Sequence, residues 1–240
     1  MKQILTYISK DKEFNDEHKM AVKIQIDNSL ELGWRREDII LATNFPYEYN
    51  GIKSLIVEDD NYCEFSFPAT KVYTIVSLFK KKLIKDELYW YHDFDCFQLN
   101  TITEEELELK NYDMGLANYG RRPRLCSASM FFKNSAEDIF DKLKAKVIEM
   151  KNNEEEAIMR LINEKMNTLG DRVKLLNPTY AFHRFNILTN YPTTIKPIRA
   201  AHFHLTPDKY EFFIEGKNKL NKVLISNKLI NNFKKHGFAK

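Results

Sequence analysis

A doubly wound α/β fold is predicted for this chain of 240 residues by three observations. Apolar strands and amphipathic helices alternate through the first half, and the strands leave into polar loops. The most aromatic stretch, Tyr89–Leu99, reads as a short buried strand that ends on two carboxylates one residue apart, Asp93 and Asp95, and is followed by a turn. In open α/β sheets ligands gather outside the carboxyl ends of the strands, so this pair stands where a site is expected.

Each element has its own signal. Gln3–Ser9 reads as a buried first strand, leaving into the polar loop 10–16. Glu17–Leu32 sets Met20, Ala21, Ile24 and Leu30 near helical spacing and stops at Gly33. Asp38–Asn44 is a second strand, and Ile52–Val57 a third that runs out into Glu58, Asp59 and Asp60. Pro68–Lys71 opens a helix with a stripe of Val72, Ile75, Val76, Leu78, Phe79 and Leu83. The helix feeds Tyr89–Leu99, where strand alternation sets Asp93 and Asp95 on one face and Phe94 on the other. His92 faces away from them, in a structural role.

The second half continues the pattern. After the Glu-rich turn 104–108, Met114–Tyr119 and Leu125–Phe132 read as strands flanking the basic loop 120–124. Ser135 is expected to cap a helix from Ala136 to Met150, with Glu137 and Asp138 complementing its first turn. Asn153 is expected to cap another that begins Glu154-Glu155-Glu156. Past Gly170, the short strand-like runs Val173–Leu176, Tyr180–Phe185 and Arg199–Leu205 are broken by Pro178, Pro192, Pro197 and Pro207. The tail is basic, amphipathic and largely helical in pattern.

Composition bounds the function. With 43% hydrophobic and 30% charged residues, the chain is an ordinary globular protein, and its 17 Phe and 12 Tyr suffice for a sizeable core. The net charge of +3 is mild, with lysines clustered at Lys80–Lys82 and through Lys217, Lys219, Lys222, Lys228, Lys234 and Lys235. Such clusters suit anionic partners. With Phe212, Phe213, Phe233 and Phe238 among the tail lysines, they support an alternative reading: a nucleic-acid or membrane-surface binding module on a catalytically decayed α/β fold. Cys63, Cys96 and Cys126 have neither zinc nor disulfide spacing, which points to a reducing compartment. No apolar run has signal-peptide or transmembrane length, so a cytoplasmic protein is expected. The first strand's exit, Ser9-Lys10-Asp11-Lys12, lacks the glycine-rich loop that a nucleotidyltransferase uses for a triphosphate.

Four features in order carry a family likeness over roughly residues 1–205. They are the helix Lys71–Leu83 before Asp93-Phe94-Asp95, the run Ser127–Ser135, the acidic helix start Asn153–Ala157, and Ala201-His202-Phe203-His204. In this order they resemble a nucleotide-sugar-dependent glycosyltransferase of the GT-A type. The resemblance implies one GT-A-like domain over 1–240, with a mixed central sheet flanked by helices. Its Rossmann-like nucleotide-binding half would span 1–110, the half that takes the acceptor and completes the metal site 111–205, and a basic tail 206–240. It implies hexosyl or pentosyl transfer from a nucleotide sugar, UDP-linked by expectation, to a glycan, lipid, protein or modified DNA.

The implied cofactor is Mn²⁺ or Mg²⁺, held by Asp95 first, Asp93 second and one of His202 or His204. A divalent cation offsets the charge that develops on a departing diphosphate, and an imidazole ligand tilts the choice toward Mn²⁺. Thr6, Tyr7, Ile8, Lys71, Asp93 and Arg121 are the implied nucleotide-sugar contacts. Arg121 lies with Arg122 and Arg124 in a loop whose guanidinium forks suit phosphate or carboxylate. Glu155 and Glu156 are preferred over Glu154 for catalysis, with the stereochemical outcome open.

Overall fold

Strand β1 (Lys2–Tyr7) is apolar on both faces, as an interior parallel strand must be. Ile4 points into one core cluster, and Leu5 and Tyr7 into another. The computed structural model describes residues 1–85, 87–118, 125–162, 169–183, 191–203 and 225–238. Helix α1 (Asp16–Glu31) follows β1, then β2 (Ile39–Thr43), β3 (Glu48–Tyr49), β4 (Ile52–Lys53), β5 (Leu55–Ile56) and α2 (Thr70–Lys80). Next come β6 (Tyr89–His92), β7 (Cys96–Gln98), α3 (Glu104–Leu107), β8 (Met114–Asn118), β9 (Leu125–Phe132), α4 (Glu137–Met150) and α5 (Glu154–Ile162). The described remainder holds β10 (Val173–Leu176), β11 (Phe182–His183), β12 (Ala200–His202) and α6 (Asn227–Lys235).

The central sheet has the order β10-β8-β9-β6-β1-β2-β5. β9 is antiparallel to both β6 and β8, and every other pair in the sheet is parallel. The fold is therefore a mixed α/β sheet flanked by helices. One face packs on α2, α4 and α5, with Tyr89 stacked on Phe132 at 5.9 Å. On the opposite face Trp90 stacks on Phe131 at 5.8 Å. The reversal of β9 brings its first residues, Leu125–Ser127, to the edge where β1, β2 and β6 end.

Several expectations are corrected. Asp93 and Asp95 do not share a strand face: β6, between β1 and β9, ends just before them, and β7 beyond them joins a three-stranded sheet, β11-β12-β7. A turn at 93–95, closed by the Cys96 N–H donating to the Asp93 carbonyl at 3.0 Å, carries the chain between them. Ile52–Val57 divides in the same way, with β4 pairing back on β3 and β5 joining β2. Ser135 does not cap α4, because its hydroxyl donates to Asp113. Asn153 does cap α5, accepting the Glu156 N–H at 3.0 Å.

Helix α1 buries four polar side chains, Gln25, Asp27, Asn28 and Ser29. Gln25 donates to the carbonyls of Phe94 and Cys96 at 2.8 and 3.1 Å, and Asn28 to that of Gln98 at 2.9 Å. These side chains satisfy the edge of β7 that has no strand partner. Asp27 turns to the C-terminal helix, where Lys235 Nζ lies at 2.6 Å and His236 Nε2 at 2.8 Å. Leu229 and Phe233 of α6 are buried beside Ile24, Phe97 and Phe203, so α6 backs the small sheet.

Burial raises the Asp27 pKa, but Lys235, His236, Asn50 and Tyr49 together leave it below the usual carboxylate range. A depressed carboxylate stabilises above its unfolded pKa, and that contribution is lost as pH falls through the lower folded value. Asp27→Asn is expected to loosen α6 by on the order of 2 kcal/mol. Amide exchange across 225–238 at pH 7 should accelerate in the variant, and wild type should approach it only in strong acid.

Candidate active site

The turn at 93–95 is held from several sides. The Asp93 N–H donates to the Ala128 carbonyl at 3.0 Å, and the Phe203 N–H to the Asp95 carbonyl at 2.9 Å. His92 is buried beneath the turn, its Nδ1 at 3.1 Å from the Asp93 carbonyl and its Nε2 against the Gln3 amide. Burial lowers its pKa to about 4, so the ring is neutral at pH 7, donating from Nδ1 and accepting at Nε2. His92 is thus a support under the acidic turn.

His202 arrives by pairing. β12 runs antiparallel to β7, with His202 opposite Cys96, the residue after Asp95. Its Nε2 lies 3.3 Å from Asp95 Oδ2, and its Nδ1 3.7 Å from Cys126 Sγ. Asp93, Asp95 and His202 each offer one donor atom, and these atoms all lie within 4.8 Å of one another. Donors bound to one small divalent ion at about 2.1 Å stand about 3 Å apart when adjacent and about 4.2 Å apart when opposite. The three groups are therefore close enough to share one divalent cation after a modest side-chain movement.

Lys71 organises the other side of Asp93. Its Nζ, on a side chain only 5% exposed, lies 2.8 Å from Asp93 Oδ2, 3.0 Å from Glu154 Oε1 and 3.3 Å from Ser127 Oγ. Burial opposes the ammonium charge, but Asp93 and Glu154 outweigh it and hold the Lys71 pKa well above normal. Burial also raises Glu154, yet Lys71 and the Ser127 hydroxyl at 2.7 Å bring it below the ordinary value. Asp93 remains raised by burial and by the Asp95 charge, even though Lys71 pulls it down and Tyr91 donates to it. That residual repulsion between neighbouring carboxylates is what a bound cation relieves.

Thr6, Tyr7, Ile8, Lys71, Asp93 and Asp95 line one cleft of about 190 Å³, joined by His18, Phe67, Pro68, Thr70, Tyr91 and Phe94. Glu155 accepts the Ser127 N–H at 3.3 Å and is not among the residues that line this cleft. Glu156 turns outward to Arg160 at 3.3 Å. Arg121 and His204 lie outside the described residues. Glu154, Ser127 and His18 were not preferred by sequence reasoning. Glu154 had a signal, since it shares the 3.6-residue stripe of Ala157, Ile158 and Leu161, the buried face of α5. Ser127 opens the run Ser127–Ser135 of the family likeness, but its place beside Lys71 depends on the reversed direction of β9.

No protein-family model matches the chain, and no curated protein matches it in sequence. Solved structures do match. The galactosyltransferase LgtC, determined with donor and acceptor sugar analogues, has a TM-score of 0.62 at 12% identity, over 97% of this chain and 100% of that one. A glycosyltransferase involved in glycosylation of the major capsid of PBCV-1 has a TM-score of 0.57 at 14% identity, over 89% and 98%. Mouse xyloside xylosyltransferase 1 has a TM-score of 0.50 at 11% identity, over 85% and 97%. At these identities the likeness is one of fold, and the fold is GT-A-like.

Proposed function

We propose that this GT-A-fold chain is a metal-dependent glycosyltransferase that moves a sugar from a nucleoside-diphosphate sugar, UDP-linked in the first instance, to an acceptor hydroxyl. The observation that carries the reading is the convergence of Asp93, Asp95 and His202, with both carboxylates lining the cleft that Thr6, Tyr7 and Ile8 share at the carboxyl end of β1. Asp95 and His202 would hold the cation with Asp93, and the cation would supply Lewis-acid charge to the diphosphate. We read residues 1–110 as the nucleotide half and 111–205 as the half that completes the site, with Tyr7, Thr6 and Ile8 facing the nucleoside.

Lys71 favours the ionised form of Glu154 and fixes both Glu154 and Asp93 in place, so the site would need little reorganisation when a donor binds. Ser127 ties this group to the start of α5. Glu155, beside Ser127, is our choice for the carboxylate that faces the reacting centre, ahead of Glu156, whose partner is Arg160. The buried, unpaired thiols of Cys63, Cys96 and Cys126 support a reducing, cytoplasmic setting. Among the described residues no helix is long and apolar enough to cross a membrane.

The test is titration and donor hydrolysis over UDP-, GDP- and dTDP-sugars with and without Mn²⁺. Turnover of one donor that requires the metal is the expected result. Absence of nucleotide binding in the presence of Mn²⁺ sinks the reading.

A further inference from the structure

Asn15, the N-cap of α1, decides the protonation of a ring in the cleft. Its Oδ1 accepts the backbone N–H of His18 at 2.8 Å and lies 2.7 Å from His18 Nδ1. A backbone amide only donates, so the Asn15 atom it meets must be the amide oxygen, and the orientation of that amide is settled. An amide oxygen only accepts, so His18 Nδ1 must carry the proton. In the neutral ring Nε2 is then a bare lone pair. Burial lowers the His18 pKa, with the Asp95 charge opposing it, which favours the neutral ring at pH 7.

The ring is also fixed in place. Tyr7 lies against it at 4.6 Å between centroids, with Phe67 at 6.0 Å and Phe94 at 6.1 Å. Together with Tyr7 and Phe94 it lines the cleft that ends at Asp95. Among the described residues, Nε2 has no hydrogen-bond partner and is not one of the fully buried polar atoms. An acceptor held in a mostly aromatic wall favours a ligand that brings a donor and disfavours one that brings a second acceptor.

We propose that His18 is a specificity-determining residue whose Nε2 accepts a hydrogen bond from the nucleoside part of the donor. The matching group is either the imide N–H of a uracil-type base or a ribose hydroxyl. The assignment rests on the glycosyltransferase reading and sharpens it, because it states which nucleosides the cleft prefers.

The experiment is calorimetric titration of wild type, His18→Phe and His18→Gln with UDP, CDP, 2′-deoxy-UDP and 3′-deoxy-UDP in Mn²⁺. His18→Phe keeps a ring but offers no acceptor, and should weaken UDP by about five- to tenfold. His18→Gln, whose amide oxygen reaches the Nε2 position, should retain most of the affinity. If the partner is the base, the preference for UDP over CDP collapses in His18→Phe. If it is the sugar, the penalty of one deoxy analogue disappears instead.

An equal loss across all four ligands, or no loss, overturns the proposal and leaves His18 a packing residue. His18→Leu reports the same coupling if His18→Phe melts early. Failure of wild type to bind any of the nucleotides would instead overturn the glycosyltransferase reading, and this assignment with it.

Discussion

Lys71→Met is expected to destabilise the protein by about 3 to 5 kcal/mol, read as a fall in melting temperature of roughly 10 °C. The ammonium is the cation between two carboxylates, 2.8 Å from Asp93 and 3.0 Å from Glu154, and the Lys71 and Glu154 side chains are no more than 5% exposed. Methionine fills much of the volume but leaves Glu154 buried with the Ser127 hydroxyl and no counter-charge. One oxygen of Glu154, Oε2, already lacks a hydrogen-bond partner, so little remains to compensate. The carboxylate must take up a proton or open the start of α5 to water.

The double variant Lys71→Met with Glu154→Leu separates charge from packing. Replacing a whole buried pair by apolar groups is often neutral, whereas removing one partner is not. The double variant should therefore recover most of the lost stability while losing donor turnover, since Asp93 is left without its lysine. A single variant as stable as wild type would show that the Lys71 ion pairs contribute nothing net.

The same contacts explain how far the chain could be read in advance. The strands β1, β9 and β10 announce themselves through local apolar runs, and Asp93 and Asp95 through their position at the end of one. Tyr89–Leu99 passes into a second sheet beyond those carboxylates with no such local signal. What divides it is tertiary: β6 finds β1 and β9, β7 finds β12, and Gln25 and Asn28 satisfy the other edge of β7. Those two polar residues lie outside the apolar stripe Met20, Ala21, Ile24 and Leu30, and nothing local says that a strand edge awaits them. Glu154 is a different case. Three successive glutamates look equivalent beside a helix dipole, and only the stripe of Ala157, Ile158 and Leu161 sets the first apart.

Asp95→Ala is expected to lower metal-dependent donor turnover by about 10³-fold or more, several kcal/mol of lost charge stabilisation. It should also abolish the gain in nucleotide affinity on adding Mn²⁺. The fold should tolerate the change, because the hydrogen bond that ties this position to β12 uses its backbone carbonyl and the Phe203 N–H. Metal-stimulated turnover surviving in Asp95→Ala would refute the assignment. Asp93→Asn provides the contrast. Asp93 is held above its ordinary pKa by burial and by the Asp95 charge, so its neutral isostere relieves repulsion in the metal-free protein at the expense of one Lys71 ion pair. A near-unchanged melting temperature with impaired turnover is therefore expected, and adding Mn²⁺ should raise the melting temperature less than in wild type. A site that binds a cation tolerates that repulsion when empty and relieves it when filled, whereas a purely structural acidic turn would gain nothing from keeping it.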